Sequence, residues 1–346
     1  MTIHADAVII GAGPCGLFQV FELGLLDIRA HIIDALPAPG GQCTELYPDK
    51  PIYDIPALPV CGAQELIDRL MEQIKPFSPT FHLGQQVTTL TPQEDGSFYL
   101  KTSAGEEFIA RSVIIAGGVG AFEPVRLKVP GVDRFEGESL FYSIKDPSRH
   151  HGKELVVLGG GDSALDWALS LYEPAESLLL VHRSEKFRAA PASVARMHAL
   201  CEDYQMQFMV GNVTGLREAD GRLTGVDVTG GDGVLRRVDC DHLLVFFGLS
   251  PKLGPIAEWG LELNKNQIIV DTERFETNVP GIHAVGDVNW YPGKKKLILS
   301  GFHEAALAAF AIKSRLNPGK KVHLQYTTTS PVMHKRLGVD DPYAED

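Results

Sequence analysis

The chain has 346 residues, 44% of them hydrophobic, which suggests roughly two domains that can bury about three quarters of their unfolded surface without disulfide staples. Its 44 acidic against 32 basic side chains leave a net charge of −12, which argues against general affinity for nucleic acid or an anionic membrane. Five cysteines without a CxxC pair or zinc-like spacing exclude a disulfide framework and fit a reducing compartment, so a cytoplasmic location is the expectation.

The chain opens with MTIHAD and runs straight into the apolar AVII, with no basic leader region or cleavage site. No apolar run reaches ~18 residues, so neither export nor a membrane span is expected. Residues 6–34, DAVIIGAGPCGLFQVFELGLLDIRAHIID, read as strand, glycine turn, amphipathic helix and a second strand ending in Asp34. In a dinucleotide-binding turn of this kind Gly11 permits the tight bend, Gly13 lets the backbone approach a pyrophosphate, and Gly16 allows close helix packing. The helix start then offers unsatisfied N–H groups to the phosphates, and Asp34 is placed to accept ribose hydroxyls.

The same architecture returns about 150 residues later in residues 154–184, ELVVLGGGDSALDWALSLYEPAESLLLVHRS, with Gly159, Gly161 and Ala164 at the fingerprint positions. Asp162 and Ser163 open its helix. Its second strand ends not in an acid but in His182 and Arg183, with Arg188 following, and guanidinium groups there accommodate a 2′-phosphate that a carboxylate would repel. The second nucleotide is therefore expected to be NADPH. Ser184, which brings no charge, leaves a plain NADH domain as the alternative and predicts a clear but not extreme preference.

Residues 276–312, ETNVPGIHAVGDVNWYPGKKKLILSGFHEAALAAFAI, read as a turn, a short strand ending at Asp287, a loop and an Ala-rich helix. From 291 to 336 nine Lys or Arg face a single acid, Glu304, in a chain that is otherwise strongly acidic. That basic stretch is either a solvated face or a docking surface for an acidic partner. The twelve histidines, among them His150, His151 and His198, show no metal-ligand spacing, and no metal is expected.

The VPGIHAVGD stretch resembles the second flavin signature of the two-dinucleotide-binding flavoprotein reductases. With GGQCTELYP at 40–48, GGGDSALDWAL at 159–169, VHRSEKFRA at 181–189 and LGPIAEWGLEL at 253–263 in register, the chain from about 5 to 330 is similar to the ferredoxin/flavodoxin NADP reductases of the thioredoxin-reductase type. The resemblance implies an α/β fold of two Rossmann-like domains, with the NADPH domain (120–246) inserted into an FAD domain (1–119 and 247–325). It also implies a C-terminal segment (326–346) that covers the flavin, and a homodimer. The FAD contacts it carries over are Asp34, Gln42, Tyr47 and Asp287, and less sharply Val87, Phe122 and Thr328. Tyr47 would stack on one face of the flavin and Tyr326 on the other, although the family tends to bear another aromatic or a His at the latter position. Cys43, next to Gln42, reads as a small buried hydrophobe rather than a redox thiol.

Thioredoxin reductases carry a redox CxxC just before the second glycine fingerprint; here the stretch reads ESLFYSIKDPSRHHGKELVVLGGG. Without a dithiol, electrons must leave the flavin directly. The expected activity is hydride transfer from NADPH to FAD and release of single electrons to ferredoxin or flavodoxin, with Lys294, Lys295, Lys296, Lys313, Lys320 and Lys321 steering the acidic carrier. A flavoenzyme reducing a quinone or ferric chelate, and a non-catalytic flavin-bearing sensor, are the alternatives.

Overall fold

The computed structural model describes residues 2–340 apart from Asp49 and Lys145; the side chains of residues 121–123 and 249–252 are outside the described set, and the expected flavin contact Phe122 falls there. Two compact units result: Met1–Ala121 with Pro251–Asp346, and Phe122–Ser250. Each crossover lies a few residues beyond the boundary expected from sequence.

In the first unit the strand Ile3–Ile10 buries Ala7, Val8, Ile9 and Ile10 in succession, the mark of a strand covered on both faces. It lies between Ala30–Ile33 and Glu107–Ile115, all three parallel. Thr80–His82 extends the sheet on one side. On the other, Ile282–Ala284 returns late in the chain to pair in parallel with Val113–Ile115. The hairpin of Val87–Pro92 and Phe98–Thr102 joins the earlier half of Glu107–Ile115 antiparallel.

Helix Pro14–Leu25 follows the first strand, with Pro14 at its first turn, where the missing N–H costs nothing. The 19-residue helix Ile298–Leu316 packs on it, with Gly301 against Cys15 and Ala305 bonded to Gln19, and buries Ala308 and Ile312 further along the same face. Gln19 Nε2 donates to the Ala305 carbonyl at 3.1 Å across that buried seam.

The second unit repeats the plan. Five parallel strands run in the order Leu140–Phe141, His242–Val245, Glu154–Leu158, Ser177–His182 and Gln207–Ala219, and an antiparallel pair, Arg222–Gly230 and Leu235–Asp239, completes the sheet. Two apolar clusters form, one holding Val156, Leu179, Val226 and Leu243, the other Val157, Leu165, Leu180 and Met197. Among the described residues no helix is long and apolar enough to cross a membrane.

Candidate functional site: two dinucleotide cradles

The first cradle forms where Ile3–Ile10 ends. Gly11 adopts φ +113°, a conformation that L side chains resist, and a Cβ there would lie 2.4 Å from the Ala116 carbonyl oxygen. A Cβ on Gly16 would come within 1.9 Å of the Gly11 carbonyl oxygen, so the turn and the helix are in direct backbone contact. Gly13 is different. Its φ of −73° suits any residue, and an added Cβ would meet nothing nearer than the Gly41 Cα at 4.0 Å. The chain itself makes no demand for glycine there; a phosphate group against the helix start does, and this is the fit expected for a dinucleotide.

Asp34, at the end of the neighbouring strand, is turned into this cradle. Its carboxylate accepts the Ala12 N–H at 2.5 Å and the Leu36 N–H at 2.8 Å. Burial pushes its carboxyl above the usual carboxylate range, and those two N–H groups pull it partly back. The loop after Thr80–His82 holds the Asp34 backbone from both sides, His82 C=O accepting its N–H and Gln85 N–H reaching its C=O, each at 3.0 Å.

Asp287 reaches the same unit from the far end of the chain, in the turn Gly286–Val288. Burial raises its carboxyl; Lys296 and Lys294 oppose the shift and Glu304 adds to it. Tyr47, half-buried against the core, feels Asp287 and bonds to Cys43, and burial with these neighbours pushes its phenol up. Tyr47, Cys43 and Asp287 are thus gathered together. Gln42 opens the short helix Gln42–Leu46 and lies against Gly118. Cys43 is 1% exposed, with its thiol pushed up by burial, as a small buried hydrophobe would be. Val87 is 3% exposed and faces the core, which leaves only its backbone to touch a ligand.

Tyr326 and Thr328 are exposed in a turn closed by Thr329 and Ser330 N–H bonds to the Tyr326 carbonyl, and no described contact joins them to Tyr47 or Asp287. Among the described residues beyond them, helix Pro331–Leu337 packs elsewhere on this unit. It docks at the opposite end of Pro14–Leu25, where Arg336 donates to the Leu25 carbonyl and approaches Asp27 at 3.7 Å.

In the second unit Gly159 has φ +147°, and its Cβ would lie 2.5 Å from the Phe246 carbonyl oxygen. Gly161 has an ordinary φ of −103° and open space within 4 Å, the counterpart of Gly13. Ala164 is fully buried, while Asp162 and Ser163 are exposed at the helix start. The strand's end is stitched to the turn: Arg188 N–H donates to the Gly160 carbonyl at 2.8 Å, and Ala190 N–H to Asp162 Oδ1 at 2.9 Å. The His182 ring lies against Gly160 and Phe187, its Nε2 3.2 Å from the Lys186 carbonyl, and burial lowers its basicity. Arg183 and Arg188 are exposed, and among the described residues neither has an acidic partner. Ser184 is engaged with the Lys186 backbone.

One expectation is corrected. Lys294 is not a surface cation: its side chain is 4% exposed, and its ammonium is paired with Glu304, itself 0% exposed. Because the pair is mutual, neither charge projects outward. Lys295 and Lys296, with Leu297 and Leu299, remain exposed. Glu304 was visible in the sequence only as the lone acid of a basic stretch, and nothing local marked it as a buried hub. Cys15 was likewise unmarked. It is wedged against Gly286 and Gly301, where added Cβ atoms would lie 3.0 and 2.1 Å from its Sγ, and burial pushes its thiol up to about 12.

The pyridine nucleotide-disulphide oxidoreductase family pattern matches residues 5–311. A protein of Cupriavidus metallidurans named ferredoxin–NADP reductase 2 is 66% identical over 340 residues, covering 98% of this chain and 93% of that one. A ferredoxin–NADP reductase of Methylibium petroleiphilum is 64% identical over 344 residues, with 98% and 94% covered. Among solved structures, the thioredoxin reductase of T. acidophilum superposes with a TM-score of 0.73 at 24% identity, covering 90% of this chain and 98% of that one. A bacillithiol disulfide reductase of Staphylococcus aureus gives 0.76 at 19%, with 91% and 99% covered. The two structures share the fold. The five cysteines here are all free, and no two of them form a CxxC pair. From its two glycine turns to its close relatives along almost its whole length, the chain belongs to the pyridine nucleotide-disulphide oxidoreductase family, among the ferredoxin–NADP reductases.

Proposed function

We propose that this chain is an FAD-dependent reductase that moves electrons between NADPH and ferredoxin, with flavodoxin as a second carrier of the same kind. The observation that carries the reading is the pair of cradles with opposite electrical character, a half-buried carboxylate at Asp34 and exposed guanidinium groups at Arg183 and Arg188. The turn from Gly11 to Gly16 and the start of Pro14–Leu25 would hold the FAD pyrophosphate, Asp34 its ribose, Asp287 its ribityl chain, and Tyr47 one face of its ring. Gly159 to Ala164 would hold the NADPH pyrophosphate, and Arg183 with Arg188 its 2′-phosphate. When bound, FAD supplies the exchange between a two-electron hydride donor and a one-electron acceptor.

The protein's part is placement and charge. Lys296 acts on Asp287 electrostatically, which supports a place for the exposed Lys295 and Lys296 beside the flavin site. With Leu297 and Leu299 beside them they form a basic, partly apolar face suited to an acidic carrier. We include in this reading a homodimer, in which the exposed Tyr326 meets a partner subunit's flavin.

Purified protein with NADPH or NADH and a panel of ferredoxin, flavodoxin, ferricyanide, quinone and thioredoxin tests it. Saturable turnover with ferredoxin or flavodoxin at low carrier concentration is expected, with NADPH preferred. Tight turnover with quinone alone would replace it with a small-molecule reductase. Carrier reduction should fall as salt shortens the ~8 Å Debye length, and charge reversal at Lys295 and Lys296 should flatten that dependence.

A further inference from the structure

Residue Gly286, which immediately precedes Asp287, is gripped at both of its backbone polar groups. Glu304 Oε2 accepts its N–H at 2.7 Å, and Lys294 Nζ donates to its carbonyl at 2.9 Å. The same carboxylate accepts Asn289 Nδ2 at 2.8 Å, Tyr291 Oη at 3.0 Å, and the Lys294 ammonium. Asn289 donates in turn to the Ala284 carbonyl at 2.8 Å, on the strand that delivers the turn. Gly286 needs this grip: it adopts φ +80° and lies against Cys15 of the first fingerprint helix, with little room to move.

Taking two charges out of water costs several kcal/mol for each, and an apolar pair of similar volume would hold a helix to a loop at least as well. What an apolar pair would not do is fix the peptides on both sides of one residue. We propose that the buried Lys294–Glu304 pair is a positioning device for the flavin site, a pincer that sets the Gly286–Asp287 backbone for its ligand. The inference rests on the reading that Asp287 contacts FAD. Burial raises the Asp287 carboxyl and Glu304 adds to the push; Lys296 opposes it first and the Lys294 ammonium second, so loss of Lys294 removes part of that opposition.

The test compares FAD titration of the flavin-stripped parent with Lys294→Met, Lys294→Arg and Tyr291→Phe, following affinity against pH, the flavin absorption bands and the thermal unfolding of each flavin-free chain. Lys294→Met is expected to weaken FAD about tenfold, the scale of one charge-assisted bond. Its affinity should also start to fall at a higher pH than in the parent, because Asp287 then protonates more readily. Lys294→Arg should recover most of the affinity. Tyr291→Phe removes one of the bonds to Glu304 without stranding a charge, so it keeps the test open if Lys294→Met fails to fold; it should weaken FAD by about threefold with altered absorption bands. FAD affinity, pH profile and absorption bands equal to the parent's in a folded Lys294→Met chain, or in Tyr291→Phe where that chain does not fold, would overturn the pincer and leave the flavin reading standing. A parent that takes up no FAD would overturn the flavin reading itself.

Discussion

The two glycine turns are near copies in backbone and opposites in what surrounds them. Gly11 and Gly159 share positive φ and the same bond to the neighbouring strand, to Ile33 at 2.8 Å and to Val181 at 3.1 Å. Around the first, polar groups are already ordered: Asp34 is fixed by two N–H groups, and the Asp287 turn is clamped by a buried ion pair. Around the second, Arg183 and Arg188 reach into solvent. On the proposed assignment, one backbone device thus serves two residence times. Ordering the ligand-facing groups in advance lowers the entropy lost on binding and suits a prosthetic group, whereas exposed, screened charges suit a co-substrate that must leave every turnover.

The comparison extends to tightness, and here the largest effect is expected. Gly16→Ala would drive a Cβ to 1.9 Å from the Gly11 carbonyl oxygen, so the first unit should lose its flavin and its cooperative unfolding transition, read by absorbance and calorimetry. The second turn already carries a side chain at this place, and Ala164→Gly should cost only about 1 kcal/mol. A soluble, fully yellow Gly16→Ala protein would break the contrast.

Gly13→Ala and Gly161→Ala come next, because neither added methyl meets the chain closely. Both should leave the melting temperature of the ligand-free protein near that of the parent. Gly13→Ala should weaken FAD and Gly161→Ala should weaken NADPH, each by about 3 kcal/mol as backbone bonds to phosphate are lost. Equal loss of both ligands in either variant would show that the cradles are not separate. Arg183→Ala is a finer probe: the Michaelis constant for NADPH should rise about 10- to 150-fold, the loss of a contact of about 1.5–3 kcal/mol, with little change for NADH. A matching rise for NADH would remove the phosphate from the picture.

The smallest effect concerns acid. In the second unit His242 is pushed down to about 4 by burial, by His150 and by Lys153, with Asp241 opposing. A histidine held neutral in the fold contributes stability that is complete above its free value near 6.5 and is lost as pH falls toward 4. The melting transition of the second unit should therefore move down between these limits, and His242→Gln should flatten that slope. An unchanged slope would assign the acid sensitivity elsewhere, for instance to the partly buried His31–His82–Glu106 chain of the first unit, where burial also lowers His31.

Both glycine turns, the strands that end in Asp34 and Arg183, and the Gly286–Asp287 turn were legible in the sequence because each is a local pattern of period and punctuation. What was not legible depends on distant partners. Lys294 stands in a run of three lysines, which reads as a solvated face, and only the helix ten residues on reveals that the first of them is buried against Glu304. His82 and Gln85 hold the backbone of Asp34 through contacts that no motif announces. The tail's anchorage joins Arg336 to Leu25, residues at opposite ends of the sequence, so no pattern in the chain could have signalled it.

The interrupted first unit also fixes an order of birth. Its strand Ile282–Ala284 completes the edge at Val113–Ile115, and the whole of Phe122–Ser250 is synthesised between them. At ribosomal speeds of ~5–20 residues per second, that edge waits about 8–30 seconds for its neighbour. The second unit holds its complete sequence first, and the half-built sheet must stay soluble until Ile282–Ala284 has been made.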